Sequence, residues 1–263
     1  MQFSLTLETW KLTMTDIRTT REVRAMRESG RMLATVLSIL SKRVAPGIST
    51  KALADIAAVE LKTLGGKPSF LGHYGFPDVI CISVNDEIVH GIPSPKRLLK
   101  DGDIVSLDFG VTCDNMITDG AVSVIVGRSQ QPRHTTLLEV TKQAMLAGIG
   151  SIHDGVRTGD IGLAIESVLK PHRYGIPREL VGHGVGHQLW EDPNIPNYGR
   201  ANTGPWLKAG MTIAVEPMVT LGSARIRTAD DGWTVKTADS SWAAHFEHTV
   251  LILQDGAEIL TTV

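Results

Sequence analysis

Pro46-Gly47-Ile48-Ser49-Thr50 is matched in pattern by Asp154-Gly155-Val156-Arg157-Thr158, 108 residues further along the chain. Each stretch is followed by apolar residues at helical spacing. The same separation of 108 residues links Leu99-Lys100-Asp101-Gly102 to Leu207-Lys208-Ala209-Gly210. A shared offset at several places indicates an internal repeat rather than chance similarity. The sequence therefore predicts two structurally related halves.

Each predicted half begins with helices and continues into strands. The first helix is predicted to begin near Thr20, with Thr19 or Thr20 as its N-cap. From 103 to 111 apolar residues alternate, so Asp108 is expected on the face opposite the most apolar one. Further strands are predicted at 79–85, 121–126, 212–219 and 243–253, and loops at Pro93, Pro95, Gly127 and Pro132. This pattern indicates an α/β chain.

Composition and charge limit the classes of protein that fit. The chain has 263 residues, of which 42% are hydrophobic, and a formal net charge of −2, which argues against a nucleic-acid scaffold. No apolar run approaches the ~18 residues of a membrane span. Glu8 and Lys11 interrupt the first residues, so no secretory signal is predicted. Two cysteines, Cys81 and Cys113, are typical of a disulfide-free fold in the cytoplasm. We expect a disordered extension, 1–18, before a single domain, 19–263.

Four acids lie on predicted strands or at their ends: Asp108, Asp119, Glu216 and Glu247. Buried strand acids are costly unless a positive charge compensates them. Because the repeat relates Asp108 to Glu216, both are expected in one shared cleft. Carboxylates that meet there repel one another, which predicts raised pKa values or a multivalent cation. His183 lies among glycines, where small neighbours allow a ligand or metal to approach.

Each of these residues also has a simpler explanation. A single strand aspartate more often caps a turn or pairs with lysine, and Asp119 before Gly120 fits a turn. His183 between two glycines fits a structural role equally well. Taken as a set on symmetry-related strands, the residues favour a metal site. Such an oxygen-rich set suits Mn²⁺, Fe²⁺ or Co²⁺, and two ions ~3.5–4 Å apart would activate a water.

With their neighbours, these residues resemble type I methionine aminopeptidase, a metallopeptidase of the pita-bread fold. The resemblance extends from about Thr19 to Thr262 and includes the eleven-residue step from Asp108 to Asp119. The matching segments are Gly75-Phe76-Pro77, Cys81-Ile82-Ser83-Val84-Asn85, His90-Gly91-Ile92-Pro93, Gly102-Asp103-Ile104-Val105, Gly182-His183-Gly184-Val185-Gly186, Gly210-Met211-Thr212, Glu216-Pro217-Met218, Asp231-Gly232-Trp233-Thr234 and Glu247-His248-Thr249. The resemblance implies two pseudo-symmetric halves around a curved antiparallel sheet, with helices outside, in agreement with the repeat.

The resemblance also implies a metal centre. Carried over position by position, it predicts five ligands for two divalent ions such as Co, Mn or Fe: Asp108, Asp119, His183, Glu216 and Glu247. Asp119 and Glu247 would bridge the ions, Asp108 would bind one, and His183 with Glu216 would bind the other. The implied mechanism is attack of a bridging hydroxide on the scissile carbonyl, with the oxyanion stabilised by the metals and Glu216 transferring the proton.

On the substrate side, His90 matches the family histidine that contacts the substrate next to the scissile bond, and it is expected to act with Glu216. The predicted methionine pocket consists of Phe70, Phe76, Cys81, Leu189 and Trp233. Tyr74 and Trp190 are predicted as further substrate contacts. An aromatic residue or cysteine at such positions is often only part of the core, so that alternative stays open.

Two positions depart from the family pattern. The family carries a second histidine seven residues after the ligand histidine, and this chain has Trp190 there. Indole cannot accept a hydrogen bond or take up a proton. The family order Tyr-His is inverted to His73-Tyr74, and His187 is the nearest alternative imidazole, although its position suits a surface residue. A lost transition-state hydrogen bond would cost ~10²–10³ in turnover, or Trp190 would change specificity instead.

Three functions are compared. The first is removal of the initiator methionine from nascent proteins whose second residue is small. The enzyme is then expected to be a cytoplasmic monomer, with the ribosome as a further candidate partner and without specificity for nucleic acids or membranes. The second is a proline-directed aminopeptidase or dipeptidase of the same fold. The segments around Cys81 and His90, and the lack of a large N-terminal domain, argue against it. The third is a catalytically weakened relative that acts as a binding module. Retention of all five predicted ligands favours an enzyme.

Overall fold

The computed structural model describes residues 16–129 and 131–263. Its helices are α1 (Thr20–Arg43), α2 (Thr50–Leu64), α3 (Pro132–Gly150) and α4 (Thr158–Leu169), with short 3₁₀ turns at His73–Gly75 and Lys170–His172. Its strands are β1 (Lys67–Pro68), β2 (Cys81–Val84), β3 (Glu87–Val89), β4 (Ile104–Cys113), β5 (Met116–Ile125), β6 (Gly182–Gly184), β7 (Glu191–Ile195), β8 (Thr212–Val215), β9 (Met218–Thr220), β10 (Ile226–Thr228), β11 (Val235–Thr237), β12 (Ala243–His245), β13 (Glu247–Leu253) and β14 (Gly256–Ile259).

The main sheet is antiparallel. Its nine strands follow the order β1-β4-β5-β13-β8-β6-β7, with β2 added on β4 and β14 on β13. Strands β10, β11 and β3 form a second sheet, and β12 pairs with β9 in a third. The central order places β4 and β5, from the first half, beside β13 and β8 from the second. Both halves therefore contribute strands to the middle of one sheet.

The predicted repeat is visible in matching hydrogen bonds. The amide of Gly47 donates to the carbonyl of Leu99, and the amide of Gly155 donates to the carbonyl of Leu207, both at 2.8 Å. Two isolated bridges follow the same offset: Ser49 with Leu98, and Arg157 with Trp206. These equivalent contacts connect the start of a helix to the loop before a strand in each half. The prediction of two related halves is confirmed.

Helix starts follow local side-chain chemistry. Thr19, one of the two predicted caps, accepts a hydrogen bond from the amide of Glu22 at 3.3 Å, and its own amide donates to the Glu22 carboxylate at 2.7 Å. This reciprocal capping box satisfies two otherwise unpaired donors of α1. Ser49 caps α2 by accepting from the amide of Ala52. Gly65 then ends α2 with a φ of 85°, a left-handed conformation that glycine adopts without strain.

The helices pack on the sheet in two apolar clusters. Helices α1 and α2 cover the β4 side chains of Val105, Leu107 and Phe109, which all lie on one face as the alternation predicted. Helices α3 and α4 cover a second cluster, which includes Ile213 of β8 and Val250 of β13. Each half thus has its own core, and Asp108 lies on the face of β4 away from the α1–α2 core.

Several boundaries differ from the predictions, and β5 begins at Met116, before the predicted start at 121. The predicted strand 243–253 is divided at Phe246 into β12 and β13, which belong to different sheets, and 212–219 is divided into β8 and β9. Both breaks occur beside an acid of the predicted site, because the chain leaves the main sheet there. Pro132, expected in a loop, is the first residue of α3, where its missing N–H costs nothing and its φ suits a helix.

The segment before α1 is described from residue 16 onward, so most of the predicted extension, 1–18, lies outside the described residues. Within the described part, Arg18 is only 5% exposed, and its amide donates to the carbonyl of Gly210 at 2.8 Å. Among the helices of the described chain, none is long and apolar enough to cross a membrane.

Candidate active site

The five predicted metal ligands come from five strands, or strand ends, that are neighbours in the main sheet. In sheet order they are Asp108 on β4, Asp119 on β5, Glu247 at the start of β13, Glu216 directly after β8, and His183 in β6. Ala121 of β5 pairs with Asp108 on one side and with Glu247 on the other. Asp119 lies two residues before Ala121, so it shares the same face. Antiparallel register therefore gathers the acids on one surface of the sheet.

His183 faces these acids. Its Nε2 lies 3.3 Å from Glu216 Oε1, and ligand atoms of Asp119, His183 and Glu247 all lie within 4.8 Å of one another. The carbonyl of Gly184, 2.9 Å from His183 Nδ1, can only accept a hydrogen bond, so Nδ1 donates. This contact leaves the lone pair of Nε2 directed at the acids, as metal-binding histidines are commonly arranged.

The four carboxylates are electrostatically costly as they stand. Burial raises the pKa of Asp119 to about 7. Burial, followed by the charges of neighbouring carboxylates, raises the pKa values of Asp108, Glu216 and Glu247 well above their usual range. Within the described chain, the basic side chains within 4 Å of the Glu216 and Glu247 carboxylates are buried imidazoles, those of His183 and His245, and Glu247 Oε1 has no hydrogen-bond partner. A divalent cation would compensate these charges, so the residues fit a metal centre.

Sequence reasoning missed one member of this cluster, His245. Its side chain is 1% exposed, and its Nε2 lies 3.5 Å from Glu216 Oε2 and 3.8 Å from Glu247 Oε2. Burial lowers its pKa to about 3. Its position two residues before Glu247 was the available signal, since alternate residues of an extended chain share a face.

The predicted methionine pocket borders the acids. Its buried members form one apolar cluster: Phe70, Phe76, Cys81 and Leu189. The partly buried residues Ile92, Ile117, Trp190 and Trp233 pack against this cluster. Cys81 of β2 pairs directly with Asp108 of β4, which places the apolar cluster beside the carboxylates. Trp233 makes edge contacts with Phe76 at 5.2 Å and with the predicted substrate contact His90 at 6.5 Å between ring centroids. Burial lowers the pKa of His90 to about 4, so its imidazole is neutral at physiological pH.

The two departures from the family pattern meet in one aromatic group. Trp190 stacks on Tyr74 with ring centroids 5.6 Å apart, and His73 meets Trp190 edge-on at 4.8 Å. The Trp190 ring lies 6.4 Å from that of His183, so this group borders the acids. His187 is directed elsewhere, because its ring nitrogens contact Arg18 and Glu22.

Residues 24–254 match the model of metallopeptidase family M24. The chain belongs to this family. It is 46% identical over 246 residues to "Methionine aminopeptidase 1" of Bacillus subtilis (strain 168). The aligned region covers 94% of this chain and 98% of that protein. The residues that match the family model, 24–254, span all five predicted ligand positions.

Solved M24 structures agree with the fold. The crystal structure of methionine aminopeptidase from Thermotoga maritima has a TM-score of 0.93 and 41% identity, and covers 95% of this chain and 100% of that one. The prolidase from Pyrococcus furiosus has a TM-score of 0.76 at 22% identity, and this chain spans 65% of its length, so it shows the shared fold alone. The predicted pita-bread fold and the resemblance to methionine aminopeptidases are confirmed.

Proposed function

We propose that this chain is a metal-dependent methionine aminopeptidase that removes the N-terminal methionine from polypeptides. The observation that carries the proposal is the placement of a buried carboxylate–imidazole cluster directly beside an apolar pocket, with Cys81 and Asp108 paired across two strands. The identity to curated methionine aminopeptidases over nearly the whole chain supports this substrate. The proline-directed alternative has support only at the level of the fold.

The proposed ligands of the metal centre are those predicted from sequence: Asp108, Asp119, His183, Glu216 and Glu247. We assign them two ions of the Mn²⁺, Fe²⁺ or Co²⁺ class, because oxygen donors with imidazole suit these metals. Bound ions of this kind activate water and polarise a scissile carbonyl.

Glu216 is the proposed proton carrier. Burial, followed by the negative charges of Asp119 and Asp108, raises the pKa of its carboxyl group, which favours uptake of a proton. Its Oε1 and Oε2 face the imidazoles of His183 and His245. In the proposed reaction, Glu216 takes up the proton of the attacking water and returns it to the leaving amine.

The apolar cluster is the proposed methionine subsite. Phe76 and Trp233 meet edge to face, and a thioether packs favourably against aromatic rings. Cys81, 3% exposed, gives this subsite a small polarisable wall. His90 is held neutral by burial, so it can exchange hydrogen bonds with the scissile peptide without adding a charge. These residues bind and orient the substrate, and the carboxylates exchange its protons.

The remaining proposals concern the setting of the reaction. We propose that the natural substrates are nascent chains with a small second residue, and that the protein acts as a cytoplasmic monomer that meets them at the ribosome. The two cysteines, Cys81 and Cys113, are free thiols, which supports a reducing compartment. The preference for a small second residue is supported by the resemblance to type I methionine aminopeptidases.

The test is release of N-terminal residues by metal-stripped protein reloaded with Mn²⁺ or Co²⁺. Three peptides separate the alternatives: Met-Ala-Ser, Met-Pro-Ser and Ala-Pro-Ser. We expect metal-dependent release of methionine from the first two and little release of alanine from the third. Release of alanine alone would support the proline-directed function. Absence of release from all three, in protein that has bound metal, would support the binding module.

A further inference from the structure

His245 is placed in the acid cluster as closely as one of the predicted ligands. The imidazole of His183 lies 3.3 Å from one oxygen of Glu216, and the imidazole of His245 lies 3.5 Å from the other. Ligand atoms of Glu216, His245 and Glu247 also lie within 4.8 Å of one another, in a second group that shares Glu247 with the first. The two carboxylates therefore lie between two imidazoles.

The His245 side chain also lacks the contacts expected of a structural histidine. It is 1% exposed, and neither Nδ1 nor Nε2 has a hydrogen-bond partner among the described residues. Leaving a buried polar atom without a partner costs about 1–3 kcal/mol, so such atoms require an explanation. Glu247 Oε1, in the same cluster, also has no partner. Unsatisfied atoms from two facing side chains indicate that something binds between them.

We propose that His245 is a further ligand of the metal centre, which binds an ion through Nε2 together with Glu216 and Glu247. This inference rests on the metal centre of the proposed function and adds a second imidazole to it. The donor set then consists of four carboxylates and two nitrogens. Imidazole nitrogen favours transition metals, whereas Mg²⁺ and Ca²⁺ prefer oxygen alone, so His245 would increase selectivity for the transition metals.

An alternative role is that His245 only orients Glu216 through a hydrogen bond. The 3.5 Å between Nε2 and Oε2 is too long for a well-formed hydrogen bond, and both ring nitrogens lack hydrogen-bond partners among the described residues. The two roles differ in a measurable way. An orienting histidine would leave one imidazole on the metal, that of His183, whereas a ligand histidine gives two.

The number of bound imidazoles can be counted by proton NMR of the full chain loaded with two equivalents of Co²⁺. Each histidine on paramagnetic Co²⁺ produces an exchangeable ring N–H signal shifted far outside the ordinary range. We expect two such signals in the unmodified protein and one in His245→Gln. The matched control is His248→Gln, which removes an imidazole three residues away whose Nδ1 contacts Thr261 rather than the acids, and should keep both signals.

Affinity gives a second readout. Loss of a ligand should weaken binding of at least one Co²⁺ by about tenfold or more in His245→Gln, by comparison with outer-shell substitutions. The relative affinity for Mg²⁺ should increase. Circular dichroism of the metal-free variant tests whether it folds. If it does not fold, the unmodified protein alone still decides, because it shows either one shifted N–H signal or two.

A single shifted signal in the unmodified protein would overturn the inference. So would unchanged Co²⁺ affinity in a folded His245→Gln variant. Methionine release by the unmodified protein is measured on the same samples. Release with a single signal means that the proposed function stands and His245 is not a ligand. Two signals without release mean that His245 is a ligand and that the proposed function fails.

Discussion

Arg18 and Glu191 form an ion pair whose side chains are 0% and 3% exposed, although 173 residues separate them in sequence. The guanidinium of Arg18 also donates to the carbonyl of Val185 at 3.0 Å, and Glu191 accepts from the amide of His187 at 2.8 Å. These contacts join the segment before α1 to the loop that connects His183 with β7. The same loop carries Trp190, so the start of the described chain supports the border of the candidate site.

Replacement of Arg18 by alanine is expected to destabilise the protein by about 3–5 kcal/mol, because it leaves the Glu191 carboxylate buried without its partner. The measurement is the free energy of unfolding from urea denaturation. Arg27→Ala is the matched control: its pair with Glu258 is 50% and 33% exposed, so its loss should cost at most about 1 kcal/mol. Equal losses in the two variants would contradict the proposed importance of the buried pair.

Trp190→His is expected to raise kcat for methionine release, by up to ~10²-fold, because imidazole can donate and accept hydrogen bonds where indole cannot accept. The affinity for metal should change little, since Trp190 is not among the proposed ligands. Steady-state kinetics on Met-Ala-Ser, with KM and kcat determined separately, test this. Trp206→His serves as the control, because Trp206 is 59% exposed and contacts Arg157. Unchanged or lower turnover in Trp190→His would show that the indole contributes to substrate binding.

Asp119→Asn is expected to prevent stoichiometric metal binding while making the metal-free protein more stable. The reason is that burial raises the pKa values of Asp108, Glu216 and Glu247, and the negative charge of Asp119 raises them further. Metal content by elemental analysis and the Tm of the stripped protein provide the two readouts. Asp55→Asn, at an exposed helix position paired with Lys51, should retain the metal and show little change in Tm. A destabilised Asp119→Asn apoprotein would show that the carboxylate has a structural role.

The stability of the metal-free protein is expected to fall as pH rises from about 7 to about 8. Burial lowers the pKa values of His90 and His183 to about 4, so below pH 6.5 their unfolded forms bind more protons and stability rises with pH. Burial raises the pKa of Asp119 to about 7, so there the folded state keeps the proton and stability falls with rising pH. Above about pH 7 the histidines are largely neutral in both states, so Asp119 determines the sign together with Asp108, Glu216 and Glu247, whose pKa values burial also raises.

This pH dependence is measured by urea denaturation of stripped protein at several pH values. Saturating Mn²⁺ should abolish the decline, because bound cations stabilise the ionised carboxylates. Asp119→Asn should have a smaller slope than the unmodified protein. A stripped protein that becomes more stable between about pH 7 and about 8 would show that the carboxylates are not gathered as described.

Much of the candidate site was predictable because its signals are local or repeated in sequence. The cap at Thr19 depends on a residue three positions away, and the relation of Asp108 to Glu216 follows from a constant offset. The break at Phe246 was not predictable in this way. The segment 243–253 has strand composition throughout, and only the packing of β12 on β9 takes its first part out of the main sheet.

The sequence by itself determined the α/β class, the two related halves, the five candidate ligands and the resemblance to methionine aminopeptidases, because each depends on residue identity and spacing along the chain. Only the tertiary structure decided the neighbours of His245 and the burial of Arg18. Both depend on strand order and register, which bring together groups from distant parts of the chain. The free energy of a buried charge or imidazole is set by the atoms packed around it, and sequence separation does not reveal which atoms those are.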